Sequence, residues 1–166
     1  MLSTLMIRPA TFQDLTSIQH IYNQGIEDRI ATLESSAKDL NAMSDWFQEH
    51  QGRFIILVAE AEGSVLGWAS LNRYSHRCAY DGVADLSIYI ERASRGRGIG
   101  SLLLHALEEK AVAADFYKIV LFTFPFNPMA QGLYRKGGYR EVGVFEKQGK
   151  LDGRMTDVMI MEKLLL

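Results

Sequence analysis

Residues 84–104 read ADLSIYIERASRGRGIGSLLL, and within this stretch the chain changes from a strand to a helix through a glycine-rich loop. The alternating pattern from Ala84 to Ile90 predicts a β-strand, and the leucines after Gly100 predict an amphipathic helix. Three glycines stand in five positions directly before that helix, so several backbone N–H groups meet there without side chains in the way. Because the helix dipole adds partial positive charge, the sequence predicts a phosphate or pyrophosphate site at this helix start.

The loop runs from Arg95 to Gly100, and its two arginines add cationic donors at the rim of the predicted site. The alternative interpretation is a flexible loop with solvated arginines, which three glycines before a helix make less favourable. The segment lacks the lysine and the hydroxyl residue of the P-loop pattern G-x-x-x-x-G-K-[ST]. It also lacks the G-x-G-x-x-G spacing and the acidic residue roughly 20 positions later that dinucleotide-binding domains use.

Hydrophobic periodicity on either side of the loop predicts a mixed α/β fold. Helices are predicted after Thr11, over Leu40–Phe47, after Gly100 and over Pro128–Gly137, with a polar connector from Gly25 to Ala37. Strands are predicted over Leu5–Arg8, Phe54–Ala59, Val65–Leu71, Ala84–Ile90, Lys118–Phe122, Tyr139–Phe145 and Met155–Met161, the last two joined by a turn at Asp152-Gly153. The order β-α-α-β-β-β-α-β-α-β-β indicates a mixed central sheet flanked by helices, because a doubly wound sheet needs more regular alternation.

The composition predicts one soluble domain over residues 1–166. The formal net charge is -2, so we expect no basic surface for nucleic acid. The single cysteine, Cys78, cannot form an internal disulfide, which favours a reducing cytoplasm. We expect no signal peptide and no membrane span, because no basic leader opens the sequence and no apolar run approaches roughly 18 residues. The four histidines are scattered, so no metal is expected.

The loop pattern Arg-x-x-Gly-x-Gly, after a strand and before a helix, resembles the coenzyme A pyrophosphate loop of the GCN5-related N-acetyltransferases (GNAT). Segments elsewhere resemble the phosphinothricin and arsinothricin N-acetyltransferase branch of that superfamily. They are IRPATFQDL at 7–15, YNQGIEDRIATLE at 22–34, AYDGVADLSIYIERASRGRGIGSLLL at 79–104 and GYREVGVFEKQGKLDG at 138–153. The loop alone is moderately specific, whereas the loop together with these segments is specific for the branch. The resemblance covers roughly Ile7 to Leu164.

The resemblance implies a GNAT fold in which acetyl-CoA lies in a V between two central strands. It implies an enzyme that transfers the acetyl group to the amine of a small amino-acid-like acceptor, of the phosphinothricin, methionine sulfoximine or arsinothricin type. The amine would attack the thioester directly in a ternary complex, and a homodimer is expected by similarity. Two alternatives stay open, a protein or peptide N-acetyltransferase and a non-catalytic acyl-CoA-binding domain.

Two residues are the catalytic candidates. The amine must lose a proton before it attacks, and the resemblance places the branch's general base, a glutamate, at Asp85. Aspartate is one methylene shorter, so a water would have to restore its reach, and this departure keeps the non-catalytic alternative open. Tyr134 is the candidate proton donor to the leaving thiolate, because a phenol ordinarily has a pKa of about 10. The structural alternatives are a strand-edge carboxylate for Asp85 and a packed aromatic ring for Tyr134.

The coenzyme contacts are also implied by the resemblance. Asn127, which precedes Pro128, falls where the family has an asparagine near the pantetheine, although a helix N-cap is an alternative role. The strand before the loop should offer main-chain groups to the pantetheine arm, since its side chains have the character of core residues. The residues expected to contact acetyl-CoA are Ser87, Ile88, Tyr89, Ile90, Arg95, Gly96, Arg97, Gly98, Ile99, Gly100, Ser101, Asn127 and Tyr134.

The resemblance aligns Arg77 with a substrate-binding arginine of the branch, and arginine suits a carboxylate because it binds it through two parallel hydrogen bonds. A second cationic residue of the branch is replaced by Ser75, which weakens the case for a second anionic group on the acceptor. Arg73 is either a nearby substitute or a plain surface charge. Tyr80 and Leu33 are expected to line the acceptor pocket.

Overall fold

The computed structural model describes residues 4–166. Met1 to Ser3, the first residues of the segment in which no signal peptide is expected, lie outside the described residues. The strands are β1 (Met6–Pro9), β2 (Ile56–Ala61), β3 (Ser64–Arg73), β4 (Val83–Ile90), β5 (Lys118–Thr123), β6 (Arg140–Leu151) and β7 (Arg154–Leu164). The helices are α1 (Leu15–Asp28), α2 (Leu40–Glu49), α3 (Ile99–Ala113) and α4 (Pro128–Lys136). This order of strands and α-helices confirms the predicted one.

The strands form one mixed seven-stranded sheet in the order β1-β2-β3-β4-β5-β7-β6. β4 and β5 are parallel and pair only from Val83 with Lys118 to Asp85 with Val120. Beyond that point β4 continues to Ile90 and β5 to Thr123 without pairing with each other. The two central strands therefore diverge and open a cleft, which agrees with the V that the family resemblance implies.

Alternation along β4 divides its side chains between two apolar layers. Leu86 belongs to the layer under α3, in which Leu103 and Leu107 are fully buried. Tyr89 packs instead against the layer formed by α1, α2 and the start of the sheet. Asp85 is four residues from Tyr89 and therefore points toward the α1 and α2 side of the sheet. None of the helices within residues 4–166 is long and apolar enough to cross a membrane.

The predicted connector beginning at Gly25 is wrong at its start, because α1 continues to Asp28 and ends at Arg29, whose φ is 58°. A Cβ at Gly25 would lie 2.8 Å from the ring of Tyr89. Any residue other than glycine would therefore clash where α1 packs against β4. The glycine thus serves a close packing contact and does not end the helix. The true connector is the irregular segment from Ile30 to Asp39.

The hairpin of β6 and β7 is longer than predicted, since β6 reaches Leu151 and pairs with β7 as far as Arg154. Its turn lies at Asp152-Gly153 as predicted, with φ values of 53° and 79° that suit a tight hairpin turn. Almost all residues of β6 are exposed. The strand therefore lacks the alternation of apolar and polar residues from which its full length could be predicted.

Candidate active site

Two adjoining cavities occupy the cleft between β4 and β5. The central cavity, of about 280 Å³, lies at the point where the two strands part, and Asp85, Thr123 and Tyr134 are among the residues that line it. The loop cavity, of about 430 Å³, extends toward the glycine-rich loop. Both are lined by Ala31, Ile88, Tyr89, Asn127 and Ala130, so they form one continuous space. This continuity lets one long ligand reach from the loop to Asp85.

Asp85 is the ionisable group at the centre of this space. Burial raises the pKa of its carboxyl group from 3.8 to about 7, against the opposing effect of hydrogen bonds from the Asn72 side chain and the Leu86 backbone. The Asn72 Nδ2 group donates to the carboxylate over 3.4 Å. A carboxyl group that titrates near neutral pH can both take and return a proton at a useful rate.

Tyr134 lines the same cavity from α4 and is 7% exposed. Burial raises the pKa of its phenol, and the nearby charge of Asp85 raises it further. The hydroxyl therefore keeps its proton at neutral pH and can donate it. The ring also packs edge-on against Tyr139, with 5.7 Å between ring centres, so the packing role and the donor role coexist.

The predicted phosphate loop has the backbone shape that requires glycine. Gly96 and Gly98 have φ values of 80° and 84°, and a Cβ at either position would meet no atom within 4 Å. Gly98 is also the N-cap of α3, which begins at Ile99. The open space around the two glycines leaves room for an anion beside the first backbone N–H groups of α3.

The two loop arginines differ in their surroundings. Arg95 lines the loop cavity, where its guanidinium group pairs with Asp28 of α1 at 2.7 Å and donates to the Ile90 carbonyl at 3.2 Å. Arg97 is exposed and is not among the residues that line the cavity. The Ile99 side chain is 1% exposed and lies in the core, so any contact it makes with a phosphate must come from its backbone.

One face of α4 completes the loop cavity and was missed by the sequence reasoning. Met129, Gly132, Leu133 and Lys136 all line the cavity. Their spacing of three, four and seven residues places them on one helix face, and that periodicity could have found them. Lys136 brings a cation to the cavity that Ser101 of α3 also lines, whereas Met129 and Leu133 supply an apolar wall.

Asn127 joins the two cavities but its side chain is already engaged. Its Oδ1 accepts from the Ala130 backbone at 3.2 Å, and its Nδ2 donates to the Ile30 carbonyl at 2.9 Å. The residue is therefore the N-cap of α4 and also ties that helix to the segment after α1. The alternative interpretation as a helix cap is confirmed.

A third space, the aromatic cavity, of about 380 Å³, adjoins the central cavity on the α1 and α2 side. The two share Thr32, Ser87 and Tyr89. Its other lining residues are Tyr22, Glu34, Lys38, Ala42, Met43, Trp46 and Trp68. Glu34 and Lys38 form an ion pair of 3.1 Å at this site. Asp85 therefore lines the central cavity, which adjoins the loop cavity on one side and the aromatic cavity on the other.

A family model described as the Acetyltransferase (GNAT) family matches residues 16–139 of the chain. The chain belongs to this family. The L-methionine sulfoximine/L-methionine sulfone acetyltransferase of Pseudomonas aeruginosa is 32% identical over 158 residues, which are 94% of this chain and 92% of that protein. The chain is therefore an N-acetyltransferase with the fold and loop of the GNAT enzymes.

Two solved structures show how closely this GNAT chain follows the family. The phosphinothricin acetyltransferase of Sinorhizobium meliloti, in complex with AcCoA, has a TM-score of 0.91 and 29% identity and covers 97% of this chain and 88% of its own. The ribosomal-protein-alanine N-acetyltransferase of Brucella melitensis has a TM-score of 0.93 and 31% identity and covers 96% and 99%.

The acceptor candidates of this acetyltransferase do not all come together. Leu33 lines the central cavity together with Asp85. Arg77 and Tyr80 are exposed residues of the loop between β3 and β4, and neither lines any of the three cavities. Tyr80 lies beside Arg73 at a separate small hollow of about 10 Å³. In the described chain, Arg77 and Tyr80 therefore do not line the cavities around Asp85.

Proposed function

We propose that this enzyme transfers the acetyl group of acetyl-CoA to the amine of a small amino-acid-like acceptor, of the phosphinothricin, methionine sulfoximine or arsinothricin type. The observation that carries the proposal is a buried carboxyl group, Asp85, which titrates near neutral pH at the junction of two spaces of different chemistry. The acceptors named for the Pseudomonas and Sinorhizobium relatives support the same class.

The loop cavity fits acetyl-CoA, which supplies the acetyl thioester. The backbone N–H groups at Gly98 and after it would hold the pyrophosphate, with Lys136 as a cation at the same end. The apolar side chains of α4 would cover the pantetheine arm. The main chain of Ile88 to Ile90 runs along the cavity without a partner on β5, so it can bond to the arm as an added strand would.

Asp85 and Tyr134 would divide the proton transfers between them. The carboxylate of Asp85 accepts a proton from the amine, directly or through one water in the central cavity. The hydroxyl of Tyr134 donates a proton to the departing sulfur, and burial keeps that proton in place until then. Because the loop cavity and the aromatic cavity both open on the central cavity, the two reactants can be bound together, which is what direct attack needs.

Two basic side chains are candidates for binding the acceptor's carboxylate. Lys38 lines the aromatic cavity, whereas Arg77, predicted from the resemblance, lies outside all three cavities. The family resemblance predicts that Arg77→Ala raises the acceptor KM and leaves acetyl-CoA binding intact, whereas the cavity lining predicts this result for Lys38→Ala. The matched variant is Lys38→Ala. An unchanged acceptor KM in Arg77→Ala together with a raised KM in Lys38→Ala would transfer the role to Lys38.

The test of the proposal is thiol release from acetyl-CoA with a panel of acceptors. The panel holds phosphinothricin, methionine sulfoximine, arsinothricin, ordinary amino acids and a peptide with an N-terminal alanine, since a ribosomal-protein-alanine acetyltransferase shares the fold. We expect turnover with one of the amino-acid-like acceptors and a large loss of kcat in Asp85→Asn. Turnover with the peptide alone would indicate a protein acetyltransferase. Tight binding of acetyl-CoA without turnover would indicate a non-catalytic domain.

A homodimer remains part of the proposal. Its support is β6, which forms one edge of the sheet and exposes Val142, Val144 and Phe145. Exposed apolar side chains on a long edge strand favour association with another surface.

The exposed thiol of Cys78 is consistent with a reducing cytoplasm as the working environment.

A further inference from the structure

A chain of hydrogen bonds leads from Asp85 to the end of α2. Asn72 of β3 stands directly opposite Asp85 in the β3–β4 ladder. Its Nδ2 group donates to Ser87 Oγ at 3.0 Å and to the Asp85 carboxylate at 3.4 Å. Its Oδ1 atom accepts from Ser70 Oγ at 2.8 Å and lies 2.8 Å from Nε2 of His50. The amide thus joins an acid on one side to an imidazole on the other.

The contacts of His50 show which hydrogens this orientation of the Asn72 amide requires. Its Nδ1 atom lies 2.8 Å from the Trp46 carbonyl, which can only accept, so Nδ1 carries a hydrogen. Its Nε2 atom faces the Asn72 Oδ1, which also can only accept. This orientation of the Asn72 amide therefore matches a His50 ring with hydrogens on both nitrogens, which the amide joins to the Asp85 carboxylate.

A half-turn of the Asn72 amide gives a second arrangement in which every group is again satisfied. The Nδ2 group then donates to Nε2 of a neutral His50 and to the oxygen of Ser70. The Oδ1 atom then accepts from the hydroxyl of Ser87 and from a protonated Asp85. The first arrangement matches a charged His50 with a carboxylate, and the second matches a neutral His50 with a carboxylic acid.

We propose that Asn72 and His50 are positioning residues which, through the orientation of one amide, set whether Asp85 is ready to accept a proton. The proposal rests on the proposed role of Asp85 as the base.

The other groups around the pair do not supply a competing charge. Tyr134 and Tyr89 face Asp85, and burial raises the pKa of both phenols, so both are neutral. On the other side, the ring of Trp46 lies 4.8 Å from that of His50. Among residues 4–166 no acidic or basic side chain makes a hydrogen bond or ion pair with His50.

The first test is the pH profile of kcat/KM in His50→Gln, which keeps a hydrogen-bonding side chain and removes the imidazole ring. We expect the acidic limb to move to higher pH by about half a unit or more, which is on the order of threefold less activity on that limb. At high pH the activity should return toward that of the wild type. The matched control is His105→Gln, an exposed histidine of α3 with 78% side-chain exposure, for which we expect no shift.

Carbon-13 NMR of the Asp85 carboxyl group tests the coupling without turnover. We expect its titration to move upward in His50→Gln and in Asn72→Ser, and to move no further in the double variant, since both changes break one path. Identical Asp85 titrations in wild type and both variants would overturn the proposal, even for an active enzyme. If the titration of Asp85 shifts but the protein acetylates no amine, the coupling between His50 and Asp85 is supported. The proposed function is then refuted.

Discussion

At the scale of single residues, Asp85 links the chemistry of the site to the stability of the protein. Its pKa is about 7 in the folded chain and 3.8 in the ordinary exposed state, so the folded state holds the proton more strongly. The free energy of unfolding therefore decreases as pH rises between about 4 and about 7, by roughly 4 kcal/mol if the whole shift is expressed. The full stabilising contribution of Asp85 is present only below about pH 4.

Asp85→Asn removes the ionisable group and keeps the shape. We expect its free energy of unfolding, measured by urea denaturation between pH 4.5 and 8, to lack this decrease. The variant should therefore be more stable than the wild type at pH 8 while having a much lower kcat. Parallel pH dependences of stability in the two proteins would contradict the burial of a charge at Asp85.

Tyr134→Phe tests the leaving-group donor. Because the hydroxyl is the only group removed from a buried ring, packing against Tyr139 should persist and acetyl-CoA binding should be unchanged. We expect kcat to fall on the order of ten- to a hundredfold, as removal of a positioned proton donor does. The matched control is Tyr117→Phe, an exposed tyrosine outside the cavities, which should keep full activity. A normal kcat in Tyr134→Phe would leave the residue a packing role alone.

At the scale of elements, β6 supports one wall of the central cavity. A Cβ at Gly149 of β6 would lie 2.6 Å from Cδ1 of Leu33, which lines the central cavity. Gly149→Ala should therefore push the Leu33 side chain toward the cavity, and we expect a several-fold higher acceptor KM with little change in acetyl-CoA binding. Gly143→Ala on the same strand is the control, because a Cβ there meets no atom within 4 Å. Equal KM values in the two variants would remove Leu33 from the acceptor wall.

The elements themselves could be predicted because their signals are local. Periodicity along the chain predicted the strand and helix order, and the glycines before α3 predicted the tight loop at the start of that helix. Asn72 gave no such signal, since only the register of β3 on β4 brings it opposite Asp85. Gly25 was misread for the same reason, because the ring of Tyr89 that requires it lies on a distant strand. The parts that could not be predicted are contacts between elements far apart in sequence.

At the scale of the whole molecule, the exposed edge of the sheet bears on assembly. Phe145 of β6 is 46% exposed, and we expect Phe145→Glu to shift the protein from dimer to monomer in sedimentation velocity experiments, because a charge there cannot be buried against a second copy. The control is Leu102→Glu on α3, where an equally exposed apolar residue lies on another surface. A wild-type protein that sediments as a monomer at all concentrations would refute the homodimer.

The short contact between β4 and β5 also affects how long each copy of the enzyme survives. Three residue pairs join the two halves of the sheet, so the backbone amides of β4 beyond Asp85 that face the gap are left to solvent and exchange readily. A bound pantetheine arm acts there as a missing strand and adds stability in proportion to the logarithm of its concentration. The supply of activated acetyl groups in the cell would then regulate resistance to proteolysis as well as the rate of catalysis.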